Sequence, residues 1–287
     1  MERSRARCVI PHALVTHLIH PPPVFLAFPF QGSKVLVVGA TGGVGQLVVA
    51  KLLEAGYSVR ALARSPEKAR DLLGAADALE IVTADLRDAS ALAASGVASG
   101  VDAVVSCTGT TAFPSARWKD GNGPENTDFV GTRNLVSAVK SASPACARFV
   151  LVSSIGVERT DQMPFLILNL FGVLKYKGMG EAAVRGSGLP YTILRPGRLT
   201  DGPYTSYDVN TLLRATSGTR RFAEVAAGDT LLPEETSRIV VADAAVAALK
   251  LASTVSGEYC VGTKEGEGPG SDAEKWDALF RAANANR

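Results

Sequence analysis

The segment from Lys34 to Gly45, KVLVVGATGGVG, constrains this chain more than any other. The continuous apolar run Lys34–Val38 stops abruptly at glycine, the mark of a strand buried on both faces as in a parallel sheet. Beyond the glycines, Val44, Leu47, Val48 and Leu52 recur at helical spacing, and Gly56 supplies a left-handed C-terminal stop. Between strand and helix, Gly39-Ala40-Thr41-Gly42-Gly43-Val44-Gly45 reads G-x-x-G-x-x-G. Such glycines make the tight turn and let backbone approach a pyrophosphate, while the helix aims free N–H groups and its positive dipole end at it. Gly39, Thr41, Gly42, Gly43, Val44 and Gly45 are therefore candidate dinucleotide-binding residues, with an ordinary glycine-rich turn as the plain alternative.

The same alternation continues. Strands are expected at Ser58–Ala63, Leu79–Ala84, Asp102–Cys107, Arg148–Ser153 and Tyr191–Leu194, with helices at Pro66–Leu73, Glu125–Ser141 and Tyr176–Gly186. Parallel neighbours need crossovers, so this order predicts an α/β fold, a Rossmann-type doubly wound parallel sheet. The regular pattern stops at residues 198–238, rich in Gly, Thr, Asp and Pro with one expected helix at Tyr207–Ala215. This reads as a small C-terminal excursion on the substrate side. An apolar helix at Ile239–Ala252, a strand at Tyr259–Val261 and a docked helix near Asp272–Ala283 follow.

The end of the second strand discriminates between dinucleotides, because an acid there binds the ribose 2′-OH of NAD whereas a cation accepts the 2′-phosphate of NADP. The residue is Arg64, close to the ~20 positions expected beyond the glycine loop. Ser65 offers a hydroxyl donor nearby and Lys68 a second charge. NADP(H) is favoured, with NAD(H) retained as the other reading.

With these pieces in place, residues 34–262 resemble the atypical short-chain dehydrogenase/reductases, in particular NmrA-like NAD(P)-binding members of plant and algal chloroplasts. Besides Gly39–Gly45, the resemblance rests on Arg64-Ser65-Pro66-Glu67-Lys68, Ala84-Asp85-Leu86, Val152-Ser153-Ser154 and Tyr191 through Gly197. It implies Asp85 and Leu86 beside the adenine, Thr108 and Gly109 at the second ribose, Pro196 and Gly197 at the nicotinamide end, and a chloroplast location. These enzymes normally place a tyrosine four residues before a lysine, which lowers its pKa for proton transfer. Here the matching lysine is Lys177, and Val173 stands where the tyrosine belongs. Lys177 is expected to hold the nicotinamide ribose, while Ser154, Tyr204 and Tyr207 are the other candidate proton donors. Trp118, in the loop Thr110–Pro124, is read either as a stacking platform or as cover for the sheet edge.

Composition excludes several classes. Thirty Lys+Arg against 28 Asp+Glu give +2 without a basic stripe, which leaves nucleic-acid binding unsupported. Cys8, Cys107, Cys146 and Cys260 have no metal-type spacing and read as free thiols. His12, His17 and His20 all precede the body of the domain, so no His-based nucleophile or metal site is expected there. Residues 1–33, with Arg3, Arg5, Arg7 and a Pro21–Pro23 run, read as a leader, either a transit-peptide remnant or disordered, or as a misassigned gene start. Residues 34–287 read as the NAD(P)-binding domain. No apolar run reaches the ~18 residues of a membrane span, but Pro164–Leu174 suits a buried or interfacial role, including peripheral membrane contact. Two functions remain open: an NADP(H)-dependent oxidoreductase on an unidentified small substrate, or a non-catalytic NADP(H)-sensing regulator or assembly scaffold in the chloroplast.

Overall fold

The computed structural model describes residues 32–199, 218–232 and 235–287. Its eight strands are β1 (Lys34–Val38), β2 (Ser58–Ala63), β3 (Leu79–Thr83), β4 (Ala103–Ser106), β5 (Arg148–Val152), β6 (Tyr191–Pro196), β7 (Phe222–Ala227) and β8 (Gly257–Lys264). They form one sheet in the order β3-β2-β1-β4-β5-β6-β8-β7. All neighbours are parallel except β7, which runs antiparallel to β8 at the edge. This is the expected doubly wound α/β sheet. The antiparallel strand β7 was not expected, because it falls inside the excursion, where no apolar alternation marks it.

Period-two geometry explains why β1 is apolar throughout. Val35 and Val37 enter the core on one face with α1 (Gly43–Glu54), α7 (Arg238–Lys250) and α8 (Ala273–Ala285). Leu36 and Val38 enter the opposite core with α3 (Ala89–Ala94), α4 (Gly131–Ala142) and the end of α6 (Val173–Arg185). α2 (Pro66–Leu73) packs against β3 and α1, and the short α5 (Phe165–Leu168) precedes α6. Trp276 and Phe280 of α8 are fully buried and stacked, so that helix is docked.

The last strand is longer than the expected Tyr259–Val261, and two helix starts differ from expectation for local reasons. The expected helix Glu125–Ser141 is a π-helical turn, Glu125–Val130, running into α4, and backbone widening of this kind leaves no hydrophobic-period signal. α6 begins three residues before Tyr176, at Val173, because the left-handed Gly172 (φ 78°) starts it. Residues 1–31 of the leader, and the part of the excursion holding Tyr204, Tyr207 and the expected helix to Ala215, lie outside the described residues. No described helix is long and apolar enough to cross a membrane.

Candidate dinucleotide site

Strand order reverses between β1 and β4, and there a cavity of about 510 Å³ opens at the carboxyl ends of β1 to β4, within the usual size range of small-molecule sites. Its floor is the glycine loop. Gly39 has φ 75°, and a Cβ there would lie 2.8 Å from the Cys107 carbonyl carbon; a Cβ on Gly45 would lie 2.1 Å from Gly39 O. Only glycine permits that double approach of turn, helix and neighbouring strand. Gly42 caps α1 in extended conformation without a side-chain cap, and Gly42 N–H donates to Gly39 O at 2.9 Å. Gln46 Nε2 donates to Thr41 O at 3.0 Å and pins the loop from within the helix. No acid occupies the first turn of α1, so its positive end faces the cavity unneutralised.

Gly39, Thr41, Gly42, Gly43, Arg64, Asp85, Leu86, Thr108 and Gly109 line this cavity. Val44 and Gly45 do not: Val44 packs into the core and Gly45 serves helix packing. Pro196 and Gly197 also lie outside its lining, with the Gly197 N–H held by Thr236 Oγ1 at 3.0 Å.

The far wall is cationic. Arg64, Lys68, Arg87, Arg117 and Lys119 stand there against Asp85 and Asp120, an imbalance that favours an anionic ligand. Arg64 Nη1 donates to Asn122 Oδ1 at 2.5 Å. Arg87 takes Asp85 as a bidentate partner, with contacts at 2.6–3.1 Å, and reaches the Asp120 carbonyl. The Arg87 hydrogen bonds hold the Asp85 carboxyl below its ordinary range, although burial pushes the other way. Ser65 differs from the expected ligand donor: its hydroxyl accepts from Lys68 N–H at the start of α2 and donates to Glu67. The loop carrying Arg117, Lys119, Asp120 and Asn122 follows β4, and its contacts with β2 and β3 are long-range, so no local pattern in the sequence announced them.

Trp118, between Arg117 and Lys119, turns away from the cavity. Its Nε1 donates to Thr111 Oγ1 at 3.0 Å and its ring meets Phe171 edge-on at 6.1 Å. A further cation, Arg238, is buried at the start of α7 beside the loop; a Cβ on Gly43 would lie 3.1 Å from its Cδ and Nε. Cys107 lines the cavity as a neutral thiol, with burial pushing its pKa up to about 12.

Behind Gly109 lies Lys177. Its Nζ is 2.7 Å from Asp128 Oδ1, and a Cβ on Gly109 would sit 3.0 Å from it. Val173 is 3% exposed in an apolar cluster with Ile155, Phe165 and Leu174. Tyr176 points elsewhere, its hydroxyl donating to Glu125 at 3.1 Å. Ser154 Oγ donates to the Ile155 carbonyl at 3.1 Å. A three-carboxylate group, Glu158, Glu181 and Glu258, surrounds Arg195, whose Nη2 lies 2.6–2.7 Å from all three; it is an ion-pair knot centred on an arginine.

The profile of the NAD(P)H-binding family matches residues 39–252. A chloroplastic TIC 62 protein of Oryza sativa subsp. japonica is 37% identical over 183 residues, covering 58% of this chain and 35% of that protein, so the chain spans about a third of that relative's length. An uncharacterized chloroplastic protein of Arabidopsis thaliana is 37% identical over 219 residues, covering 73% of this chain and 75% of the relative. Sanguinarine reductase of Eschscholzia californica is 29% identical over 283 residues, covering 86% and 94%. Among solved structures, the oxidoreductase ylbE of Lactococcus lactis superposes with TM-score 0.63 at 17% identity over 88% of this chain and 97% of that one, a likeness of fold. The family profile runs from the glycine loop to the end of α7, and by it this chain belongs to the NAD(P)H-binding family, with the fold and chloroplast relatives of the atypical short-chain dehydrogenase/reductases.

Proposed function

We propose that this chain is an NADP(H)-dependent oxidoreductase acting on a small carbonyl, alkene or sugar-like substrate. The observation that carries the reading is the pairing of a glycine-loop helix terminus with the cationic wall of Arg64, Lys68, Arg87, Arg117 and Lys119 in one cavity, which suits a pyrophosphate at one point and a 2′-phosphate at another. In this reading Gly39, Thr41, Gly42 and Gly43, with Val44 and Gly45 behind them, hold the pyrophosphate, and Arg64 with Lys68 holds the 2′-phosphate. Asp85 and Leu86 border the adenine, Thr108 and Gly109 the second ribose, Lys177 the nicotinamide ribose, and Pro196 and Gly197 the nicotinamide end. The dinucleotide supplies or accepts hydride. The chain's own part is to orient it and to move the compensating proton, for which Lys177 is the first candidate and Ser154 and Tyr204 are the others.

Titration calorimetry of the full chain with NADPH and NADH, followed by NADPH oxidation against carbonyl compounds and quinones, tests this. Tight NADPH binding with turnover is expected. Tight binding without turnover selects the sensor or scaffold reading instead, and absence of binding overturns both. Its chloroplast relatives support plastid residence, which a fluorescent fusion checks.

A second reading, peripheral membrane contact, is favoured by one observation. In the segment 163–171, Met163, Leu166, Ile167, Leu170 and Phe171 are 45–67% exposed, while Phe165 is buried in the core and Leu168 packs against it in part. Exposed apolar patches usually mark contact sites. Flotation with lipid vesicles tests it: Leu170→Asp is expected to abolish association without lowering the Tm, and a wild-type chain that never floats removes the idea.

A further inference from the structure

Lys177 is held by a residue that no sequence motif singled out. Asp128 lies in the π-helical turn before α4, and its side chain is 1% exposed against 12% for Lys177. The placement is rigid. A Cβ on Gly180, one turn beyond Lys177 on α6, would lie 2.4 Å from the Asp128 carbonyl oxygen, so α6 and the turn touch backbone to backbone. Asp128 Oδ1 takes the Lys177 ammonium, but Oδ2 is buried without a hydrogen-bond partner, as is Ser153 Oγ. Both residues, with Thr108 and Lys177, border a second cavity of about 10 Å³, room for roughly one water. Thr108 also lines the dinucleotide cavity, so the two spaces share a wall.

A buried carboxylate with one oxygen unsatisfied is costly unless a neighbour compensates it or it takes a proton. Burial pushes the Asp128 carboxyl upward, and the Lys177 charge, the Lys177 hydrogen bond and the Thr110 backbone oppose this only in part. Lys177, from α6, is the one charged group among the described residues that acts on it.

We propose that Asp128 is a positioning residue which, with Lys177, forms a proton-holding pair behind Gly109 whose protonation follows the charge of the dinucleotide. The inference rests on the oxidoreductase reading for its site and supplies what Val173 removes. NADP⁺ would bring a positive charge to the nicotinamide end of the site, next to the ribose that Lys177 would hold; the pair then gives its proton to solvent and the Asp128 carboxylate stands opposed to both charges. With the neutral dihydronicotinamide of NADPH, the pair keeps the proton. The bond broken is the carboxyl O–H, and the proton passes to buffer.

Calorimetry of NADP⁺ and NADPH binding to the full chain, in two buffers of different ionisation enthalpy at one pH, counts the protons released. Protonation of the 2′-phosphate is common to both nucleotides and cancels in the difference. We expect NADP⁺ to release more protons than NADPH, and this difference to vanish in Asp128→Asn and in Lys177→Met. Should Asp128→Asn fail to fold with a lone buried ammonium, the double variant Asp128→Asn/Lys177→Met leaves no unpaired charge and carries the same test. An equal proton count for the two nucleotides in the wild type, or a difference that persists in the variants, overturns the pair and leaves the oxidoreductase reading standing. Failure of the wild type to bind either nucleotide overturns that reading and this inference together.

Discussion

Arg64 at the end of β2 donates a 2.5 Å hydrogen bond to Asn122 in the turn after β4, so two segments far apart in sequence share the edge of one cavity. That bond sets a cation where the 2′-phosphate of NADP is expected, and a neutral amide holds it there without neutralising it. Arg64→Asp should lower NADPH affinity by about 10- to 100-fold, the scale of one charge-assisted contact to phosphate, and leave NADH affinity within a few-fold. Asn122→Asp, which places a competing carboxylate on Arg64, should move the ratio in the same direction. Calorimetry with both nucleotides decides it; equal losses would remove Arg64 from the role.

The glycines of the loop should separate into two kinds. Gly45→Ala drives a methyl to 2.1 Å from Gly39 O, and a backbone oxygen cannot move aside, so a loss of about 3 kcal/mol or more is expected in denaturant unfolding. At Gly42 a Cβ meets the same oxygen at 3.3 Å and the residue lines the cavity. Gly42→Ala should therefore cost dinucleotide affinity while leaving most of the stability intact. Similar stability losses in both variants would show that Gly42 also serves packing.

Stability should depend on pH through Asp243, which pairs with Lys51 between α1 and α7. Burial pushes the Asp243 carboxyl up to about 6, against the partial opposition of Lys51. A carboxyl raised in the folded state adds stability that is complete below its unfolded value of about 4 and is lost as pH rises through the folded value. Between pH 4 and 7 the wild type should lose up to about 3 kcal/mol relative to its Asp243→Asn variant. Chemical unfolding of both proteins across this range measures the difference, and parallel curves would contradict the assignment.

Restoring the usual tyrosine should not restore a conventional site. Val173 is 3% exposed among Ile155, Phe165 and Leu174, so Val173→Tyr inserts a ring and a hydroxyl into a filled apolar cluster. A loss of about 1–3 kcal/mol is expected, with no gain in NADPH-dependent reduction of quinones. A rise in turnover at unchanged Tm would show that the position opens onto the nicotinamide after all.

Much of the fold was legible because its signals are local. Lys34–Val38 is apolar at every position since both faces of β1 are covered, the glycine loop follows at once, and each crossover helix carries its own periodicity. The strand Phe222–Ala227 was not legible, because an edge strand pairing only with β8 needs no continuous apolar run. Within the site, Arg64 and Lys177 could be named from their spacing to the glycine loop and to Val173. Arg87, Lys119, Asn122 and Arg238 could not, since they are brought to the cavity by contacts such as Arg87 with Asp120, Arg64 with Asn122 and Arg238 with Leu199, which span dozens of residues of intervening chain.

By itself, then, the sequence determined the parallel α/β sheet, the place of the glycine loop, and the absence of a tyrosine four residues before Lys177. These follow from side-chain periodicity and from backbone freedom that only glycine has, both properties of contiguous residues. Only the tertiary structure decided that the turn after β4 completes a cationic wall, that Trp118 faces away from it, and that Asp128 stands against Lys177 with one oxygen unsatisfied. Those relations arise where separate elements pack, and charge and burial at such contacts depend on distance in space, which spacing along the chain does not encode.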